Sequence, residues 1–257
     1  MALLTGKTIV IMGVANKRSI GWGGAVSAAK QGAKLVLTHR SERAGEQIRK
    51  LLAELPDTSA SVVRCDVTDD ASIEEAFAQI GESTGRIDGI VHSIAHANVE
   101  DLQGEFVGTS REGFLLAHNI SAYSLVAVAR AARPLMTSGG GIVTMSYLGG
   151  ERAVENYNVM GVAKAALESA VRYLAKDLGK DNIRVNAISA GPIRTLAAKG
   201  VRGFNDVLHT MQEKAPLGRN VDAEEVGDVT AFFLSDLSRG VTGEVIHVDG
   251  GYHIVGL

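Results

Sequence analysis

Residues 8–24 read TIVIMGVANKRSIGWGG. The run 8–14 is apolar and β-branched, which is the composition of a strand buried on both faces. Gly13 closes that strand. From Ile20 to Gln31 the apolar residues recur at helical spacing, and Gly32 stops the pattern. A strand turning tightly into a helix opens a parallel sheet, because the helix must cross back before the next strand can pair. The turn also offers free backbone N–H groups and the positive end of a helix to a phosphate. The Ser19 hydroxyl can cap the helix or touch that phosphate. The spacing matches neither G-x-G-x-x-G nor the P-loop, so the stretch by itself also fits a plain tight turn.

Outward from this unit the alternation continues. KLVLTH (34–39), SVVRCDV (61–67), GIVHSIA (89–95), GIVTMSYL (141–148), IRVNAIS (183–189) and EVIHVDGG (244–251) read as strands. Helical patterns cover 42–55, 70–83, 112–136, 157–179 and 223–235. Continuous apolar strands imply cover on both faces. The predicted fold is therefore α/β: a single doubly wound Rossmann-type domain over residues 1–257, with a seven-stranded parallel sheet and helices on both faces. Such sheets bind ligands at the carboxyl ends of their strands.

Composition excludes several classes. Net charge is −3 without a basic block, which argues against a nucleic-acid binder. Cys65 is the lone cysteine, so no intrachain disulfide forms, and a reducing cytoplasm suits the chain. The N-terminal stretch lacks the basic start and cleavage site of a signal peptide. No continuous run of about 18 apolar residues points to a membrane span. His92, His96, His118 and His247 have no metal spacing, and no metal is expected.

The strand ends carry the chemistry. Asp66 ends the third strand, where a carboxylate can accept from an adenine amino group or form an Asx turn. The second strand ends Thr38–His39–Arg40, without the acid that usually holds ribose hydroxyls. Arg40 and Arg43 can pair with a 2′-phosphate or stand as solvated charges. The balance favours NADPH over NADH. Tyr157 and Lys164, in YNVMGVAK, stand seven residues apart at the start of a helical pattern. Seven helical residues turn about 700°, so both side chains are expected on one face, about 10.5 Å apart along the axis.

At these motifs the chain resembles the short-chain dehydrogenase/reductase superfamily, and within it the bacterial enoyl-acyl-carrier-protein reductase branch. The resemblance spans nearly the whole chain. It is carried by MGVANKRSIGWG (12–23), CDVTDD (65–70), HSIAHAN (92–98), LLAHNISAYS (115–124), YLGGERAVENYNVMGVAKAALE (147–168) and NIRVNAISAGPIRTLAAKG (182–200). The ordinary superfamily member has Tyr-x-x-x-Lys, a serine some 13 residues before the tyrosine, and an Asn-Asn-Ala-Gly run. Here the pair is Tyr157-x6-Lys164, Thr144 occupies the serine offset, HSIA replaces the run, and a second tyrosine, Tyr147, ends strand five. These departures are the branch's pattern.

The resemblance implies reduction of trans-2-enoyl thioesters on acyl carrier protein, in type II fatty acid synthesis, by a cytoplasmic homotetramer. It implies a cofactor site of Gly13, Ser19, Ile20, Arg40, Asp66, Val67, Ser93, Ile94, Lys164, Ile193 and Thr195. Tyr157 would meet the charge developing on the thioester oxygen. Lys164 would hold the nicotinamide ribose and lower the phenol's pKa from about 10. Tyr147 would shape or gate the pocket, or simply plug a strand end, and Ala97 would line the thioester end. A lid at about 193–215 would close over the acyl chain with Phe204. Val201, Phe204, Val207, Leu208 and Met211 share one helical face there, which also suits a helix packed on the core. Lys199 and Arg202 would meet the acidic carrier. Thr144 keeps open a second reading, a 3-oxoacyl carbonyl reductase.

Overall fold

The computed structural model describes residues 2–56, 59–196, 198 and 202–255. Seven strands pair in parallel in the order β3-β2-β1-β4-β5-β6-β7. They are β1 (Thr8–Met12), β2 (Lys34–His39), β3 (Ala60–Arg64), β4 (Gly89–His92), β5 (Gly140–Ser146), β6 (Ile183–Ala190) and β7 (Val245–Val248). Between them run α1 (Ile20–Lys30), α2 (Glu42–Leu52), α3 (Asp70–Thr84), α4 (Arg111–His118), α5 (Ser124–Ala132), α6 (Asn158–Leu178), α7 (Phe204–Lys214) and α8 (Ala223–Leu234). The expected doubly wound sheet is the observed one.

β1 shows why the strands are apolar throughout. Ile9 and Ile11 join the cluster that contains Ala25 of α1, Ile48 of α2 and Phe233 of α8. Val10 and Met12 join the opposite cluster, with Phe77 of α3, Leu125 of α5 and Leu167 of α6. Successive strand residues face opposite ways, so a strand covered on both sides has no position for a solvated side chain. Each fully buried Ile or Leu contributes about 1.5–3 kcal/mol.

β4 stops at His92, short of the predicted 95. Its neighbour ends at Met12, where Gly13 turns away with φ +88°. Ser93 N–H still reaches the Met12 carbonyl at 3.2 Å, and beyond it the ladder has no partner strand. The order of strands reverses here, with β2 on one side of β1 and β4 on the other. The crevice outside this reversal is where such sheets take ligands.

The predicted helix 112–136 is α4 and α5 joined through a π-helical turn, Asn119–Tyr123. Such turns shift the face of a helix and often mark functional segments. Ser121, on this turn, accepts from His96 N–H at 3.0 Å and donates to the His96 carbonyl at 3.2 Å, tying down the loop after β4. The whole stretch Arg111–Leu135 is long and apolar enough to cross a membrane, a feature that counting unbroken apolar runs passes over. Half of its apolar window is buried inside the fold, as in a core helix.

Candidate active site

The strand ends assemble one edge of the sheet. A Cβ on Gly13 would lie 1.9 Å from the Ser93 carbonyl oxygen, so only glycine lets the turns after β1 and β4 meet. Ser19 precedes α1, yet its hydroxyl is not used as the cap its position predicts. Its oxygen accepts instead from Ala15 N–H at 3.0 Å and Asn16 N–H at 3.1 Å, which folds the turn back on itself. Both lone pairs are used and the hydroxyl proton remains to donate. Ile20 opens α1 beside it. A cavity of about 190 Å³ lies between Asn16, Lys17 and Arg18 of this turn and Thr195 and Leu196 beyond β6.

Asp66 forms the Asx turn: its Oδ1 accepts from Thr68 N–H at 3.0 Å and from the Thr68 hydroxyl at 2.7 Å. The backbone bond from Thr68 is the main reason its carboxyl sits below the usual range, with Arg40 and Arg64 adding. Val67 is half-buried against the core. Arg40 and Arg43 are exposed and form no ion pair among the described residues. Ser93 and Ile94 follow β4 directly, and Ile193 packs half-buried behind β6. Thr195 Oγ1 accepts from Ala198 N–H at 3.1 Å.

Tyr157 and Tyr147 come together, and Lys164 bonds to β5 two residues before Tyr147. The two tyrosine rings meet edge to face, centroids 4.8 Å apart at 65°. Lys164 is buried on α6, and its Nζ donates to the Met145 carbonyl at 2.6 Å. Burial pulls its ammonium down to about 8, against the opposing pull of Glu168. The Tyr157 phenol is pushed up, not down, because burial dominates and Tyr147 and Glu168 add to it. Tyr147 is pushed up to about 12 by burial and Tyr252. Lys164, expected to lower the Tyr157 phenol, is not among the causes of its shift: burial, Tyr147 and Glu168 all act upward.

The helical geometry also needs correction. Tyr157 is the residue before α6, with φ −116° and ψ −22°. It stands between Asn156 (φ 58°) and Asn158 (φ 26°), both left-handed. An angle counted along a regular helix therefore does not describe the Tyr157–Lys164 relation. Asn156 Nδ2 donates to the Arg202 carbonyl at 3.2 Å, and Asn158 Nδ2 to the Gly104 carbonyl at 3.0 Å. These bonds hold a backbone that asparagine tolerates better than most residues but still at a cost.

Thr144 is turned away from the site. It is fully buried and lies 2.9 Å from His92 Nδ1 and 3.1 Å from the His92 carbonyl. Ser124 Oγ lies 2.8 Å from the other ring nitrogen. Burial, with Lys164 adding, pulls the His92 imidazole down to about 3, so it is neutral. Ala97 and Tyr157 pack on a small cluster of Leu102, Ala117, Val159, Met160 and Ala163. α7 begins at Phe204 after a left-handed Gly203, and buries Leu208 and Met211. Phe204 and Val207 are half-buried. Lys199, Gly200 and Val201 lie outside the described residues. Arg202 is exposed.

Sequence reading missed Glu168, Ser146, Asn156 and Asn158. Glu168 had a signal: it is a charge four residues after Lys164, on the face that must be buried. Asn-Tyr-Asn had another, since asparagine is the non-glycine residue that enters left-handed backbone most readily.

A parallel sheet reversing at β1/β4, a first turn that only glycine permits, two tyrosines packed edge to face and a buried lysine on α6 define an oxidoreductase of the dinucleotide-binding class. The family profile described as enoyl-(acyl carrier protein) reductase matches residues 13–253. The NADH-named enoyl-acyl-carrier-protein reductase FabI of Bacillus subtilis (strain 168) is 59% identical over 251 residues, 98% of this chain and 97% of that protein. The NADPH-named FabI of Staphylococcus aureus (strain MRSA252) is 60% identical over 255 residues, 99% and 100% of the two chains. The crystal structure of the Bacillus cereus enoyl-acyl carrier protein reductase with NADP+ and indole naphthyridinone is 60% identical, with a TM-score of 0.98 over 100% of both chains. The chain belongs to the enoyl-acyl-carrier-protein reductase family of short-chain dehydrogenases/reductases.

Proposed function

We propose that this chain reduces the trans-2 double bond of enoyl thioesters on acyl carrier protein, in type II fatty acid synthesis, with NADPH in preference to NADH. The observation that carries this reading is the Tyr147–Tyr157 pair at the strand end that Lys164 grips through Met145, with Thr144 spent in the core on His92. A carbonyl reductase of the superfamily needs a hydroxyl at the Thr144 offset to face substrate, and this one does not.

The residues fit a dinucleotide. Gly13 lets the turns after β1 and β4 close together at the strand ends, and, among the described residues, the Ser19 proton points to no acceptor and Arg40 and Arg43 form no ion pair. Ser19, Ile20, Ser93 and Ile94 would flank the pyrophosphate and nicotinamide ends. Ile193 and Thr195 would flank them from β6. Asp66 and Val67 would meet the adenine, Arg40 the 2′-phosphate, and Lys164 the ribose hydroxyls. When bound, the cofactor supplies the hydride that reaches the β-carbon. Tyr157 then serves as a neutral donor to the thioester oxygen as charge develops there; a phenol held protonated by burial is suited to that task. Tyr147 packs edge-on against it and limits its swing. Ala97 lines the thioester end, and Phe204 lies on the segment 193–215 that would close over the acyl chain. Arg202 gives an exposed charge for the acidic carrier.

A homotetramer in the cytoplasm is the assembly and place that suit the reading. The test is a cofactor-oxidation assay. A crotonyl thioester should be turned over and an acetoacetyl thioester should not; the reverse preference would replace this function with the carbonyl reductase.

A further inference from the structure

α6 grips β5 at two consecutive residues. Lys164 Nζ donates to the Met145 carbonyl at 2.6 Å. One turn later Glu168 accepts from the Ser146 hydroxyl. Both side chains are buried, at 5% and 6% exposure, and residues four apart share a helix face. The next residue, just past the end of the strand, is Tyr147. The turn behind it closes on the same carboxylate, since a Cβ on Gly150 would lie 2.8 Å from Glu168 Oε1. Taking two charges out of water costs several kcal/mol per ion, so a helix that needed only packing would carry an apolar residue at 168. The reduction described above gives Glu168 no task.

We propose that Glu168 is a positioning residue for the reduction: bonded to Ser146, its carboxylate fixes the strand end that presents Tyr147, and its charge keeps Lys164 an ammonium ready for the cofactor ribose. The second half rests on the role given to Lys164 under Proposed function. The surrounding charges agree with it. Lys164 faces Glu168 on its own helix and the neutral His92 from β4. Glu168 faces Arg172 on its own helix, Tyr157 at the helix start, Glu151 beyond the turn and His247 from β7. Burial raises its carboxyl above the usual range, and Glu151 adds to that; Ser146, His247 and Arg172 pull it back. Ser146 is the nearest of these opposing groups, which is why the bond and the charge are one device.

The test is to follow the 15Nζ resonance of Lys164 against pH in the unliganded protein. Glu168→Gln keeps an acceptor for Ser146 and removes only the charge. The Lys164 midpoint should fall by about one pH unit. Cofactor affinity, read by fluorescence titration, should match wild type near about pH 6 and drop up to about tenfold below it near about pH 9, because an earlier-titrating ammonium is lost first. Glu168→Asp should restore part of both. An unchanged Lys164 midpoint in Glu168→Gln overturns the proposal. A lowered midpoint with unchanged affinity supports the charge coupling and overturns the role of Lys164 toward the ribose. Should the Gln variant not fold, the wild-type protein decides: the Glu168 13Cδ and Lys164 15Nζ signals must each show both titration steps, and independent curves refute the coupling.

Discussion

The chain turns left-handed on the way into α1 and again on the way into α6, and the two turns are built differently. At Gly13, φ is +88° and the residue is glycine, which bears no steric cost there. At Asn156 and Asn158, φ is 58° and 26°, and the side chains must be held by bonds to the Arg202 and Gly104 carbonyls. The first turn is thus fixed locally, by the Ser93 carbonyl pressed against it. The second is fixed from a distance, by two loops. The turn into α1 is preset, and Tyr157 is placed by whatever places residues 104 and 202.

The largest effect should come at the second turn. Tyr157→Phe removes the donor and keeps the ring against Tyr147. Turnover should fall about 10²- to 10³-fold if the phenol acts as an oxyanion donor, with cofactor binding nearly unchanged. Single-turnover kinetics beside cofactor titration would separate the two. A variant that turns over at the wild-type rate would reduce Tyr157 to packing.

Gly13→Ala tests the first turn. The new methyl would meet the Ser93 carbonyl at 1.9 Å, and alanine resists φ +88°. Overpacking of this kind costs about 1–3 kcal/mol, read as a shift of the denaturant midpoint without change of slope. Cofactor affinity should fall with it. Normal stability together with normal affinity would show that the turn is not preset.

Arg40→Gln leaves both turns alone and removes one exposed charge. The Michaelis constant for NADPH should rise by about tenfold and that for NADH should barely move. The relatives frame the question without closing it, since proteins of similar identity to this chain are named for NADH and for NADPH. Higher efficiency with NADH in wild type would remove the role given to Arg40.

The same contrast explains what was legible in the sequence. The strands were readable because burial on both faces forces unbroken apolar runs, as in Thr8–Met12. Gly13, at the end of such a run, marks itself. Tyr157 and Lys164 were found as a pair, but their relation was not. Counting helical residues assumed that Tyr157 lies in the helix, and the left-handed asparagines put it outside. The direction of the phenol's shift was missed for a related reason. A neighbouring lysine is visible in sequence, whereas the depth of the pocket is a sum over residues from β4, β5 and α6. Ser19 shows the limit at the smallest scale: its position before α1 predicts a cap, and only the fold of residues 15–16 shows where its oxygen is used.

The smallest effect is the most direct test of placement from a distance. Asn156→Gly removes the bond to the Arg202 carbonyl and at the same time relieves a left-handed backbone. The two changes oppose each other in stability, so the unfolding midpoint should move little, by about 0.5 kcal/mol or less, the usual range of a substitution without a large mechanism. Turnover should nevertheless drop by roughly 2- to 10-fold, the worth of one hydrogen bond, because glycine frees the segment that carries Tyr157. Stability and rate would then separate, which a purely local turn does not allow. If Asn156→Gly leaves turnover at the wild-type value, the segment around Tyr157 is as self-sufficient as the one around Gly13. Its link to residue 202 is then an accident of packing.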